Sequence, residues 1–184
     1  KAMGSERLRR IRVKRPEPEL LDVGCAYGPF LAAAAEEGFR VEGVEPSAAA
    51  AAWASRELQV PVHAEGLERF MERNPERSWD VVTLWYVIEH FPDLDGTLAL
   101  LSRMVRPGGV LAMSTPNAAG ISARRDPRGF HASSPADHYT LLTPASVRRL
   151  LERHGFKIES FRSTGLHRDR FPSTVGKLWP LAAP

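Results

Sequence analysis

Along this chain, short apolar runs bounded by glycine or proline alternate with stretches of helical period. Glu19-Leu20-Leu21-Asp22-Val23 is the first run, and Gly24 ends it. Pro29 through Glu37 reads as a helix, with proline suited to its first turn and Gly38 to the position after its last. Phe39 to Glu45 alternates like a second strand. Ser47 caps an alanine-rich helix from Ala48 to about Leu58. Val60 to Ala64 is a weak third strand, and Leu67 to Glu72 a short helix. Asp80-Val81-Val82-Thr83-Leu84-Trp85 is a strong β-branched fourth strand. A helix from Leu94 to Val105, a turn at Pro107-Gly108-Gly109 and a strand from Val110 to Thr115 follow. Thr143 and Pro144 open the last helix, and Phe156 to Arg162 reads as a sixth strand. Strands alternating with helices predict a Rossmann-like, doubly wound α/β fold, its mostly parallel sheet covered by helices on both faces.

The 184 residues suffice for one domain with a real core. Hydrophobic residues make up 43% and charged residues 26%, which excludes the composition of a disordered chain. The single cysteine, Cys25, rules out an intrachain disulfide, and no Cys/His cluster stands at metal spacing. No apolar run approaches the ~20 residues of a membrane span. The N-terminal arginines precede no signal-peptide core, so the cytoplasm is the default location. A net charge of +3 is too small to imply a nucleic-acid partner. Residues 1–18 read as a basic N-terminal helix and linker, 19–162 as the domain and 163–184 as a tail. Residues 116–142 are irregular, and a loop that long is usually functional.

In a doubly wound sheet, ligands sit at the carboxyl ends of the strands. Those ends carry Asp22-Val23-Gly24-Cys25-Ala26-Tyr27-Gly28, then Glu45, then Glu65-Gly66, then Trp85-Tyr86. With Trp85-Tyr86-Val87-Ile88-Glu89-His90, Arg106-Pro107-Gly108-Gly109 and Thr115-Pro116-Asn117 in register, the chain resembles class I S-adenosylmethionine-dependent methyltransferases. It is most similar to the small-molecule type that includes quinone-biosynthesis O-methyltransferases. The likeness covers about residues 19–162 and implies a seven-stranded sheet whose last strand is antiparallel. For that strand the sequence offers only a faint candidate, Gly165 to Phe171.

The resemblance implies S-adenosyl-L-methionine as cofactor and S-adenosyl-L-homocysteine as product. It puts the methionine part against Gly24, Cys25, Ala26 and Gly28, with Asp22 favouring the ammonium group. Glu45, 21 residues after Gly24, would accept both ribose hydroxyl protons, with Pro46 beside it. Glu65, Gly66 and Leu67 would line the adenine, and Trp85 and Tyr86 would cover the cofactor. One departure is Ala26, which stands where the family usually has a middle glycine and which favours negative φ. Cys25 reads as a small packed residue rather than a nucleophile, because no base neighbours it in the motif.

Methyl transfer to a hydroxyl or ammonium acceptor also requires loss of a proton, for which histidine suits neutral pH. His138 and His90 are the catalytic candidates, with His131 in the same loop as His138. Glu89 would pair with a histidine or cap the next helix. The loop 116–142 would cover the acceptor, and its Arg124, Arg125 and Arg128 either face solvent or meet an acidic substrate. No metal is expected.

The reading is therefore a methyltransferase acting on an oxygen or nitrogen of a small-molecule acceptor. An RNA methyltransferase and a catalytically inactive, methyltransferase-like binding protein are the alternatives. A nicotinamide oxidoreductase fits poorly, since Ala26 and Pro29 replace the glycines that cradle a pyrophosphate. A nucleic-acid substrate is disfavoured, and Trp179 would anchor the tail in a groove or at a homodimer interface.

Overall fold

The computed structural model describes residues 7–11 and 13–163. Its sheet has five strands, all parallel, in the order β3-β2-β1-β4-β5. They are β1 (Glu19–Val23), β2 (Arg40–Val44), β3 (Val62–His63), β4 (Trp79–Trp85) and β5 (Val105–Ser114). Between them run α1 (Pro29–Glu36), α2 (Ala48–Leu58), α3 (Leu67–Arg73) and α4 (Leu94–Met104). A 3-10 turn (Ile88–His90) follows β4, and α5 (Ile121–Arg125), α6 (Pro127–Ala132) and α7 (Pro144–Arg153) follow β5.

Successive strand residues serve opposite faces, so the central strands are mostly apolar on both, with Asp22, Asp80 and Thr83 the buried polar exceptions. Leu21, Val23, Val82 and Leu84 join a core with Phe70, Leu98, Leu101, Met104 and Val147, under α3, α4 and α7. Leu20 and Val81 join the other core with Phe30, Leu31 and Ala34 of α1 and with Leu8 and Ile11. Helix starts follow the sequence reading. Ser47 Oγ accepts from Ala50 N, and Thr143 and Ser146 form a reciprocal capping box.

The amino ends of the central strands are held by charge. Asp80 accepts hydrogen bonds from the Glu19 N–H, Arg15 and Arg106, and Arg106 also pairs with Glu19. A second charged group links β2 to β4. Arg77 meets Glu42 in a two-pronged pair at 2.8 and 2.7 Å, and Trp79 Nε1 donates to the same carboxylate. His63 Nε2 lies 2.7 Å from Glu42 Oε1.

Two expectations change. Phe156 to Arg162 is not a strand. The inward-outward alternation is visible at Phe156 and Ile158, but Phe161 is exposed and no ladder forms. Alternation gives a segment two faces, whereas a strand also needs a neighbour to pair with. The sheet thus has five strands among the described residues, not seven, and the seventh-strand candidate, 165–171, lies outside them, as does Trp179. Further, β5 starts at Val105, before the turn at Pro107-Gly108-Gly109. Trp79 pairs with Val105 while Val81 pairs with Val110, so residues 106–109 form an excursion within the strand. The long loop 116–142 also contains α5 and α6, too short to show a period in sequence.

Burial would raise the Glu42 carboxyl, but hydrogen bonds from Arg77 and then His63 outweigh it and hold it below its usual range. Its contribution is complete above the unfolded-chain value of about 4.3 and is lost as pH falls through the lower folded value. Glu42→Ala should cost about 1–3 kcal/mol in urea unfolding at pH 7, by removing hydrogen bonds to a charged group and leaving the buried Trp79 Nε1 without its acceptor, and less at pH 3.

Candidate functional site

The loop between β1 and α1 turns on three residues of positive φ, Gly24 (68°), Ala26 (49°) and Gly28 (71°). Gly24 and Gly28 are required twice over. A Cβ on Gly24 would lie 2.5 Å from a Val87 methyl, and one on Gly28 2.5 Å from a Leu58 methyl. Ala26 takes the left-handed conformation despite its side chain, a cost that neighbouring contacts must offset.

Glu45, just past β2, supplies such a contact. Its Oε2 accepts from Ala26 N at 2.8 Å, and its Oε1 from Ser47 N at 2.9 Å. Gly24 N and Cys25 N both donate to the Val44 carbonyl. The loop is therefore tied to the end of β2 by main chain and by one carboxylate. Each Glu45 oxygen keeps acceptor capacity beyond its one hydrogen bond.

Asp22 is buried beneath this loop and accepts from Thr83 Oγ1 at 2.5 Å. Burial, the largest influence, pushes its carboxyl up to about 7. The Thr83 hydrogen bond and the Arg7 charge oppose that rise, and Glu45 adds to it. Cys25 packs against Gly43, and burial with the Asp22 and Glu45 charges pushes its thiol up to about 12. That thiol stays protonated at neutral pH and is a poor nucleophile.

At the end of β4, Tyr86 has φ 60° and its ring is half-exposed. Trp85 meets Phe30 edge to face at 5.0 Å, and the Arg7 guanidinium lies 4.2 Å from its ring centre. Its Nε1 is buried without a hydrogen-bond partner, as are Ser114 Oγ and Thr115 Oγ1 at the end of β5. Trp85 and Ser114 are register partners. At the end of β3, the Glu65 carboxylate is held by Arg73 and by Arg69 at 3.8 Å. Gly66 caps α3 and Leu67 is buried, while Pro46 is exposed.

His90 and His138 come together although 47 residues separate the segments that carry them. Their rings meet edge to face at 4.7 Å. His131 is exposed on α6, as are Arg124, Arg125 and Arg128 on α5 and α6 and Tyr139 in the loop. The sequence reading missed Thr83 and Arg7. Thr83 was in reach, because it lies two residues before Trp85 and so shares its sheet face. Nothing in the sequence separates Arg7 from the arginines around it.

A family model described as a methyltransferase domain matches residues 1–160. The ubiquinone biosynthesis O-methyltransferase of Saccharophagus degradans is 28% identical over 164 residues, which are 80% of this chain and 67% of that protein. That of Pseudomonas fluorescens (strain Pf0-1) is 36% identical over 153 residues, 79% of this chain and 60% of that one. The chain thus spans about two thirds or less of these relatives. Among solved structures, the cyclopropane synthase MmaA2 from Mycobacterium tuberculosis superposes with a TM-score of 0.69 at 19% identity, over 86% of this chain and 61% of that one. SAM-bound CalS10, an amino pentose methyltransferase from Micromonospora echinaspora, gives 0.54 at 30% identity, over 62% of this chain and 50% of that one.

Two measurements test this geometry. Ala26→Gly should raise the unfolding free energy by about 1 kcal/mol, the relief of left-handed strain less the added freedom of the unfolded chain. Asp22 keeps its proton in the fold up to about pH 7, whereas the unfolded chain releases it near 4. The folded state therefore binds more protons in that window, and stability falls as pH rises through it. Subtracting the Asp22→Asn profile from the wild-type profile, both from urea unfolding, should isolate that downward slope.

Proposed function

The chain belongs to the methyltransferase domain family, and from that premise we propose that it transfers a methyl group from S-adenosylmethionine to an oxygen of a small-molecule acceptor. The observation that carries the reading is the Glu45 carboxylate, buried at the end of β2 and bonded to the glycine-loop N–H of Ala26. The residues fit the cofactor's chemistry. Spare acceptor sites on Glu45 suit a ribose diol, and Asp22, which gives up its proton near pH 7, suits an ammonium group once ionised. The buried, partnerless Trp85 Nε1 marks a polar donor at the carboxyl end of β4. Asp22, Gly24, Cys25, Ala26, Gly28, Glu45, Pro46, Glu65, Gly66, Leu67, Trp85 and Tyr86 form the proposed cofactor site. Because Arg69 and Arg73 engage the Glu65 carboxylate, its backbone is the part left for the adenine.

When bound, the cofactor supplies a sulfonium methyl group open to in-line displacement. The chain's part is to hold the acceptor in line, exclude water and take a proton. His138 is the proposed base, half-buried beside His90. His90 Nδ1 lies 3.2 Å from the Asp137 carbonyl oxygen and 3.2 Å from its carboxylate, which ties the histidine loop to the 3-10 turn. Oxygen is favoured as acceptor atom by the relatives named O-methyltransferases. No helix among the described residues is long and apolar enough to cross a membrane.

Calorimetric titration with S-adenosylhomocysteine should show micromolar binding. Glu45→Ala should weaken it by about 1–3 kcal/mol, the worth of hydrogen bonds to a charged group. Unchanged affinity in that variant would remove Glu45 from the site. His138→Ala should lower kcat roughly 10²–10⁴-fold on a hydroxylated aromatic acceptor while leaving S-adenosylhomocysteine affinity intact. Full turnover would exclude His138 as the base.

A further inference from the structure

Five acids of the described residues are buried, and four of them have partners. Asp22 has Thr83, Glu42 has Arg77 and Trp79, Glu45 has two main-chain N–H groups, and Asp80 has three donors. Glu89 is the exception. It is 1% exposed, and neither carboxylate oxygen has a hydrogen-bond partner. A buried carboxylate left without a donor is costly, and such a group calls for a use.

Two imidazoles stand next to it. One Glu89 oxygen and one ring nitrogen from each of His90 and His138 lie within 4.8 Å of one another. The main chain fixes this arrangement. The Glu89 carbonyl accepts from Tyr139 N at 2.9 Å and from Thr140 N at 3.4 Å, so the segment just after His138 is sewn to the residue that bears the acid. His90 is already engaged by Asp137. Glu89 from the 3-10 turn and Asp137 from the loop both stand against the ring pair, and the Glu89 carboxylate is the one without a hydrogen-bond partner.

We propose that Glu89 is the counter-charge of the His138 base, a positioning residue that stabilises the imidazolium formed during transfer. The proposal rests on the reading of His138 given above. The acceptor O–H bond breaks and its proton passes to the His138 ring. The oxygen electron pair forms the bond to the methyl carbon, and the former methyl–sulfur pair stays on sulfur. The ring then carries a positive charge, which the Glu89 carboxylate, within 4.8 Å of a ring nitrogen, neutralises.

The test is an NMR titration of the His138 ring protons in the intact chain, in Glu89→Gln and in Glu89→Asp, with His138→Ala assigning the signal. Glu89→Gln should move the titration midpoint to lower pH by at least half a unit, about a threefold loss of proton affinity. Glu89→Asp, which keeps the charge, should restore part of that shift. The acid limb of the kcat/KM profile should move in the same direction, with S-adenosylhomocysteine affinity unchanged. An unmoved midpoint in folded Glu89→Gln overturns the proposal. If that variant does not fold, a Glu89→Asp midpoint less than half a unit below the wild-type value supports it, and a midpoint shifted down by half a unit or more overturns it. The midpoint is read without turnover. A shifted midpoint together with full activity in His138→Ala would therefore defeat the base assignment alone.

Discussion

The Glu45 carboxylate joins two parts of the chain that also meet through the Tyr27 and Trp53 rings. By accepting from Ala26 and Ser47 it fixes the loop after β1 against the start of α2. The three positive-φ residues of that loop need such an external tie, because a tight turn through left-handed conformations does not hold itself. With the loop fixed, Gly24 and Gly28 bring main chain within reach of Val87 and Leu58, and α1 starts where Pro29 places it. One side chain thus organises the loop and remains able to accept hydrogen bonds from a ligand. A substitution there acts on both functions, so loss of binding has to be read beside fold stability.

The two ends of the sheet are built on different principles. At the amino ends, Asp80, Glu19, Arg106 and Arg15 satisfy one another. At the carboxyl ends of β4 and β5 and in the turn that follows, the buried polar side-chain atoms of Trp85, Glu89, Ser114 and Thr115 lack partners. A fold selected only for stability would pair or remove such atoms. Their concentration at one end matches the general placement of ligands in doubly wound sheets. It also agrees with strain at Tyr86, whose left-handed backbone sits at the same end.

Much of this was legible in the amino-acid sequence because it depends on local signals. The central strands read as strands because both their faces are buried, and the caps at Ser47 and Thr143 are set by neighbours three residues away. The unread parts depend on distant partners. The Asp22–Thr83 hydrogen bond needs the register of β1 on β4. The isolation of Glu89 depends on how residues 137–140 fold over it. Arg7 is one arginine among several until a tryptophan is brought beneath it. Phe156 to Arg162 shows the opposite error, a strand-like pattern without a pairing neighbour. The excursion at 106–109 was visible as a turn, but its place within β5 follows only from the pairing with Trp79 and Val81.

The strand order has a consequence for how the chain reaches this state. β1 lies at the centre, with β2 on one side and β4 on the other. The β2 side closes through a single helical crossover, a short loop. The β4 side pairs Leu20 with Val81 and must wait for residues 24–78 to be made and folded back. Closing such a loop costs entropy before any contact rewards it, which slows folding. As the chain is synthesised, one edge of the central strand β1 stays open until β4 arrives. The polypeptide is then most exposed to mispairing, well before any site exists.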